Sequence, residues 1–301
     1  YDMRFFHAEL LYALERYQRA GEEYALVAAQ DARRVDAGEK PGKHQRDALE
    51  FTVHAFDVVA RKFEETEKRP ASDPRQPLPI PGPKQQLLDA ALRYRKYAPS
   101  GDKVVEVAYK AANIYYRYNH LGEASDLFTS IALDHPGHEL AGYAANLALD
   151  TYNMLGDWKN VNAWAKRFHA SAELLRTHAG LKEDLARVIE QSAFKVIEEQ
   201  EKAHQVRQAA EAYLAFARDW PGSRLAPAAL HNASVDLALA GQPDRAALVR
   251  EELVTRYPGD PVVPKVLWAS AVDAEAIADF ERAAGLYERY HDGWRKDRAA
   301  A

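Results

Sequence analysis

Apolar residues recur at spacings of three and four along most of this chain, which is the period of a helix that buries one face. The clearest stretch runs from about residue 105 to residue 138. Its first set of apolar positions is Ala108, Ala111, Ala112 and Tyr115, and its second set is Ala124, Phe128 and Ile131. Because many of these side chains are small, two such helices can approach closely. The pattern predicts an all-α chain built from helix pairs.

Proline-containing corners separate the predicted helices. Proline lacks an amide donor and disfavours the α conformation in the residue before it, so each corner ends one helix before the next begins. Pro99 and Pro136 lie 37 residues apart, as do Pro221 and Pro258, whereas Gly122 and Gly156 in two similar segments lie 34 apart. The corners are Tyr97–Gly101, Asp134–Gly137, Asp219–Gly222 and Arg256–Gly259.

These spacings and helix pairs resemble the tetratricopeptide repeat family, whose unit has about 34 residues. The resemblance covers most of the chain and implies a right-handed superhelical α-solenoid. We expect N-terminal helices with degenerate repeats over 1–68, a proline-rich inserted loop over 69–83, and a repeat array with a C-terminal capping helix over 84–301.

Two regions depart from the regular pattern. In the first, Met3–Arg19 and Glu22–Val35 are expected to form a hairpin that turns at Ala20-Gly21, followed by a helix over 43–68. In the second, Glu173–Gln200 predicts extended helices with one turn near residues 178–181.

The segment 69–83 contains six prolines, which favours polyproline II over helix or sheet. We interpret it as a stiff loop inside one helical hairpin. The alternative is a docking strip for an aromatic-lined groove on a partner protein.

Composition narrows the function classes. The net charge of -5 argues against nucleic acid as a partner, and no apolar run is long enough for a transmembrane segment. The chain lacks cysteine and the common nucleotide-binding and hydrolase motifs, and His135 with His138 sits in a turn that suits a metal poorly. We therefore expect no cofactor, no metal and no enzymatic activity.

The family resemblance also implies a binding surface, because the first helix of each repeat lines the concave side of such solenoids. One position of that helix carries a ring in every predicted repeat, and aromatic rings often anchor protein interfaces. These rings are Tyr109, Tyr143, Phe194, His231 and Trp268. The neighbouring groove positions are Asn113, Tyr116, Arg117, Asp150, Glu198, Asn232 and Glu275. The alternative is that the rings only pack between adjacent helices.

The corner sequences, followed by an apolar first helix, are similar to those of bacterial envelope repeat proteins, such as the outer-membrane-assembly lipoprotein and the Tol-Pal-associated periplasmic protein. The region from Ala108 to Ala165 more weakly resembles repeat proteins of the myxobacterial gliding-motility apparatus. The resemblance implies a protein-interaction scaffold with protein partners in a larger complex. Its location would be periplasmic or outer-membrane-associated, and otherwise cytoplasmic. The alternatives are an interaction or regulatory domain cut from a larger enzyme or signalling protein, and an RNA-binding solenoid.

Overall fold

The structure, a computed structural model, describes residues 1–67, 73 and 75–294, and this part of the chain is helical with no strand. The helices are α1 (Asp2–Ala13), α2 (Tyr17–Asp36), α3 (Gln45–Glu64), α4 (Gly82–Tyr97), α5 (Val104–Arg117), α6 (Leu121–Asp134), α7 (Ala141–Leu155), α8 (Trp158–His169), α9 (Ala172–Thr177), α10 (Leu181–Lys202), α11 (Val206–Asp219), α12 (Ala226–Leu239), α13 (Pro243–Arg256), α14 (Val263–Ala276) and α15 (Phe280–Trp294).

The chain folds as two compact units, Tyr1–Ala186 and Arg187–Ala301, and the division falls within α10. Consecutive helices pack together from α1 to α9 in the first unit and from α11 to α15 in the second unit. This arrangement confirms the predicted all-α solenoid class built from helix-hairpin repeats. The unit boundary lies inside the segment 84–301 that was expected to be one array.

The proline corners stop helices where the sequence predicts. Helices α4, α6, α11 and α13 end at Tyr97, Asp134, Asp219 and Arg256, each two residues before the proline of its corner. The expected turn near residues 178–181 is also present, since α9 ends at Thr177 and α10 begins at Leu181.

The predicted N-terminal turn at Ala20-Gly21 is wrong. Helix α1 ends at Ala13 and α2 begins at Tyr17, with Glu15 in the left-handed region at φ 57°. Gly21 is buried inside α2, where a Cβ atom would lie 2.6 Å from the Phe56 ring. The glycine therefore serves the close approach of α2 to α3 rather than a turn. The third predicted helix, over 43–68, is shorter in the structure, since α3 runs from Gln45 to Glu64.

The structural repeat is 37 residues long, so the 34-residue spacing of Gly122 and Gly156 does not relate equivalent positions. In the first unit, α5 and α7 begin 37 residues apart, at Val104 and Ala141, and α6 and α8 do the same. In the second unit, α11, α13 and α15 begin at residues 206, 243 and 280, and α12 and α14 at 226 and 263. Gly122 lies in the first turn of α6, whereas Gly156 caps α7.

The same period governs the tight turns inside the hairpins, where one residue adopts a left-handed conformation just after a helix. These residues are Asn119 and Gly156 in the first unit, and His204, Gly241 and Ala278 in the second. Glycine and asparagine tolerate this conformation, but an alanine side chain collides with its own backbone there. Ala278, at φ 61°, is therefore strained.

Helices α3 and α4 pack together although the proline-rich segment connects them, as expected of a loop within one hairpin. The amide of Leu78 donates to the carbonyl of Tyr118 at 2.8 Å, and the Asn119 side-chain amide donates to the carbonyls of Asp73 and Gln76. The described end of the segment is thus bound to the turn between α5 and α6. Residues 69–72 and 74 of the predicted loop lie outside the described part, and α4 already begins at Gly82.

None of the helices in the described residues has the length and hydropathy that a bilayer crossing requires.

Replacing Ala278 with glycine is expected to stabilise the second unit by about 0.5–1 kcal/mol, because glycine relieves the left-handed strain without losing contacts. The matched control is Ala284→Gly on the exposed face of α15, which is expected to destabilise it by a similar amount. Thermal unfolding followed by circular dichroism measures both. Equal destabilisation by the two variants would contradict the strained-corner interpretation.

Candidate functional site

In the first unit, most predicted groove residues already have partners within the protein. The ring of Tyr109 packs edge-on to Phe128 at 5.7 Å, and the Asn113 side chain donates to the Tyr109 carbonyl. The hydroxyl of Tyr116 donates to Asp150 at 2.6 Å. The remaining two are Arg117, which forms ion pairs with Glu64 and Glu67, and Tyr143, which is 65% exposed.

In the second unit, the predicted groove residues are also drawn into local contacts. Glu198 pairs with Lys195 at 2.7 Å, Asn232 hydrogen-bonds to the Tyr213 side chain, and Glu275 accepts from Tyr287. Trp268 lies edge-on to Tyr287 and Tyr290, with ring centroids 5.2 and 5.4 Å away, yet half of its surface stays exposed.

His231 is half-buried on α12, and its Nδ1 atom is shielded from solvent without a hydrogen-bond partner in the described residues. Burial lowers the pKa of His231, and the nearby cations of Lys265 and Arg250 lower it further. This imidazole therefore stays neutral to lower pH than an exposed histidine.

The prediction that every repeat carries a ring at the groove surface is wrong for Phe194. It is 7% exposed and packs against Tyr213 and Phe216 at 5.4 and 5.3 Å, so its ring belongs to the core. For this residue the alternative of packing between helices is the right one.

The 37-residue register also changes which positions are equivalent. Tyr109, His231 and Trp268 are each the sixth residue of their helix, and the sixth residue of α7 is Asn146. Tyr143 is the third residue of α7, one helical turn nearer to its start. In α7, the position that carries a ring in the other three helices therefore carries the amide of Asn146. The ring of Tyr143 lies one turn closer to the start of the helix.

A cavity of about 640 Å³ opens beside this irregular position, in the first unit. Helix α7 contributes one wall through residues 142, 143 and 146, which lie on one side of the helix, and the turn before it adds residues 139 and 140. The opposite wall is the turn between α9 and α10 with the first turn of α10. The lining residues are Glu139, Leu140, Gly142, Tyr143, Asn146, Thr177, His178, Ala179, Leu181 and Asp184. We refer to this as the α7 cavity.

The α7 cavity depends on a close contact between Gly142 and His178. A Cβ atom on residue 142 would lie 2.8 Å from Cγ of His178, so only glycine lets the imidazole lie against the helix. The Nε2 atom of His178 is buried without a hydrogen-bond partner in the described residues. Tyr143 and Asn146 are exposed beside it, and among the described residues no aromatic ring contacts Tyr143.

Sequence reasoning named Tyr143 but missed the rest of the α7 cavity. The 37-residue spacing of the corner prolines was the signal that would have placed Asn146 at the ring position. The opposite wall, formed by residues 177–184, gave no such signal, since it belongs to a helix pair that departs from the repeat. Only the three-dimensional structure brings it against α7.

The second unit holds a buried polar cluster that the sequence did not reveal. Asp236 on α12 is 1% exposed, and its Oδ2 atom has no donor among the described residues. Burial raises the pKa of Asp236 to about 6, and the nearby Glu201 carboxylate adds to the increase. Glu201 itself accepts a hydrogen bond from Tyr213 at 2.8 Å.

Comparison with known proteins does not identify a family for this chain. No family model matches the chain, and no curated protein is similar to it. The apo form of RapI, a solved structure, is 10% identical over 99% of this chain and 77% of its own, with a TM-score of 0.38. A Rap protein complexed with competence and sporulation factor is 16% identical over 99% of this chain and 75% of its own, with a TM-score of 0.25. Scores of this size carry no argument about function.

Changing Asp236 to asparagine is expected to stabilise the second unit at pH 7.5. An acid whose pKa rises on folding makes the protein less stable as the pH rises from about 4 to about 6. A rise from 3.8 to about 6 corresponds to about 1–3 kcal/mol. Chemical denaturation at pH 4, 6 and 7.5 checks this, and the variant should lose that part of the pH dependence.

The control for this substitution is Asp244→Asn, which removes the same charge from an exposed position in the first turn of α13. It should not stabilise the protein, because an acid at a helix start is favourable. A stabilisation equal to that of Asp236→Asn would point to overall charge rather than burial.

Proposed function

We propose that this protein is a non-enzymatic interaction module that holds a segment of a partner protein at the α7 cavity. The observation that carries the proposal is Tyr143, a tyrosine 65% exposed beside the α7 cavity. Partly exposed tyrosines next to pockets are typical anchors of protein interfaces, because the ring buries much area at a low entropic cost. A cavity of this size lies in the range that accommodates a few side chains of a ligand.

The other rings support the proposal less well than Tyr143 does. Tyr109 and Phe194 are committed to rings of their own unit, and Trp268 is partly covered by Tyr287 and Tyr290. Trp268 remains a second point of contact within the second unit, where half of its surface is exposed.

For the setting, we propose a multiprotein complex of a bacterial cell envelope, either assembly or motility machinery. The support is the similarity of the corner sequences to envelope repeat proteins, together with a fold that consists of helix hairpins. Such repeats offer extended surfaces and are commonly used to hold proteins together.

The binding site can be tested by site-specific photo-crosslinking with benzoylphenylalanine at position 146. In extract of the source cell, we expect one dominant crosslinked protein, identified by mass spectrometry. Adding Tyr143→Ala should reduce its yield at least fivefold, since the anchor ring beside the cavity is lost.

Two controls make this experiment decisive. The probe at Leu248, an exposed position on α13, should not capture the same protein, and Phe280→Ala, which removes an exposed ring from the second unit, should leave the yield unchanged. Circular dichroism must show that both alanine variants are folded. An undiminished yield with folded Tyr143→Ala would overturn the proposed site.

A further inference from the structure

A second cavity in the first unit lies at the start of α2 and is lined by several basic residues. It has a volume of about 400 Å³ and shares no lining residue with the α7 cavity. Residues 15–19 form one wall, and Val59 and Lys62 of α3 form the other. Three of these residues are basic and one is acidic. We refer to this as the α2 cavity.

The basic residues of the α2 cavity are Arg16, Arg19 and Lys62, and all three are exposed. None of them forms an ion pair with a carboxylate in the described part of the chain. The ammonium group of Lys62 lies over the ring of Tyr17, 5.5 Å from its centroid. This contact positions the charge without neutralising it. Three unneutralised cations at one cavity attract an anion.

Backbone amides at the start of α2 add hydrogen-bond donors to the same wall. The amides of residues 14–16 donate to carbonyls of α1 at 2.9 to 3.0 Å. By contrast, no acceptor among the described residues takes the amides of residues 17–19, and the first turn of α2 carries no acidic residue. The side-chain cations still supply most of the positive charge, since a helix start contributes about half an elementary charge.

One group at the α2 cavity acts in the opposite direction. The exposed carboxylate of Glu15 lines the cavity and offsets one of the three cations. The neighbouring Glu22 does not line the cavity, and its carboxylate accepts a hydrogen bond from the Gln18 side chain at 2.7 Å. About two positive charges therefore remain beside the helix start, and the cavity favours an anion with more than one charge.

A phosphate monoester fits these donors better than a carboxylate does. At pH 7 it carries about 1.5 to 2 negative charges and three acceptor oxygens, and an arginine can donate to two of them at once. A carboxylate offers one charge and two oxygens, so part of the positive charge would stay unpaired. The ring of Tyr17, which packs edge-on to Tyr12 at 5.1 Å, and Val59 add apolar surface for the group that carries the phosphate.

We infer that the α2 cavity binds a phosphate monoester group, held by the side chains of Arg16, Arg19 and Lys62 and by the backbone amides of residues 17–19. A small soluble phosphate and a lipid headgroup present the same chemistry, and the experiments below separate these two sources. The site is independent of the partner-binding site proposed at the α7 cavity.

The test follows the amide resonances of residues 17–19 by NMR while phenyl phosphate is added to the full chain in a phosphate-free buffer. We expect these resonances to shift, with an affinity about fivefold or more above that for benzoate, which has the same ring and a single charge. Raising the salt concentration should weaken the binding, because the cations are exposed. Equal affinity for benzoate, or no shift at residues 17–19, would overturn the inference.

The matched variants are Arg16→Gln/Lys62→Gln at the cavity and Lys159→Gln/Lys166→Gln at exposed positions of α8. Each pair removes two positive charges from the first unit. The first pair should lower the affinity for phenyl phosphate about tenfold, and the second should change it by less than about twofold. An equal loss in both pairs would show an effect of overall charge and would contradict the site.

The variant Glu15→Gln tests the site in the opposite direction. Removing the carboxylate that lines the cavity should raise the affinity for phenyl phosphate about two- to threefold, which damage to the fold would not do. Its control is Glu123→Gln, which removes an exposed carboxylate from α6 and should leave the affinity unchanged. An unchanged or lower affinity in Glu15→Gln would count against the inference.

Vesicles separate the two sources of the phosphate group. Cosedimentation is measured with phosphatidylcholine vesicles that contain or lack phosphatidic acid, whose headgroup is a phosphate monoester. Binding that requires phosphatidic acid and is lost in Arg16→Gln/Lys62→Gln assigns the site to a lipid headgroup. Absence of that binding, with phenyl phosphate still bound, assigns the site to a soluble phosphate.

Discussion

The structure depends on close packing between helices whose contact positions are alanine. Ala112, Ala145, Ala209 and Ala233 are fully buried, each on a different helix, and their small side chains allow neighbouring helices to approach closely. A single hairpin cannot bury both of its apolar faces, so each hairpin needs a neighbour. Large rings such as Phe128 and Tyr213 then fill the gaps between the alanine contacts. The left-handed turns every 37 residues keep consecutive hairpins in the same register.

Polar groups occupy the places where this packing is irregular. Asp236 is buried beside Glu201 without a donor for its Oδ2 atom, which costs stability once it ionises. The α7 cavity is a second irregular place, and its polar side chains Tyr143 and Asn146 are exposed to solvent. After α8, the six-residue helix α9 and the 22-residue helix α10 depart from the regular hairpin pattern, and the turn between them forms the wall opposite α7. Departures of this kind are common at functional sites, where local regularity is given up.

The proline-rich segment is irregular, and hydrogen bonds to the turn between α5 and α6 hold it in place. Leu78 pairs through its amide with Tyr118 and through its carbonyl with the His120 side chain, on either side of the left-handed Asn119. Asn119 thus has two roles, since its backbone forms the turn and its side chain holds the segment. A docking role for the exposed prolines remains a separate proposal.

The sequence by itself determined the all-helical class and the helix ends at the X-Pro corners, because helical periodicity, alanine faces and proline act within a few residues. It did not determine the roles of the glycines. Gly21 looked like a turn residue, yet its requirement comes from Phe56 on another helix, 35 positions away. The repeat pattern of the sequence also placed Tyr109 and Tyr143 at equivalent positions, whereas in the structure the residue equivalent to Tyr109 is Asn146. Burial of Phe194 and the contact of His178 with Gly142 were decided by tertiary packing alone. Such contacts join residues that are far apart in the chain, and local propensities do not encode them.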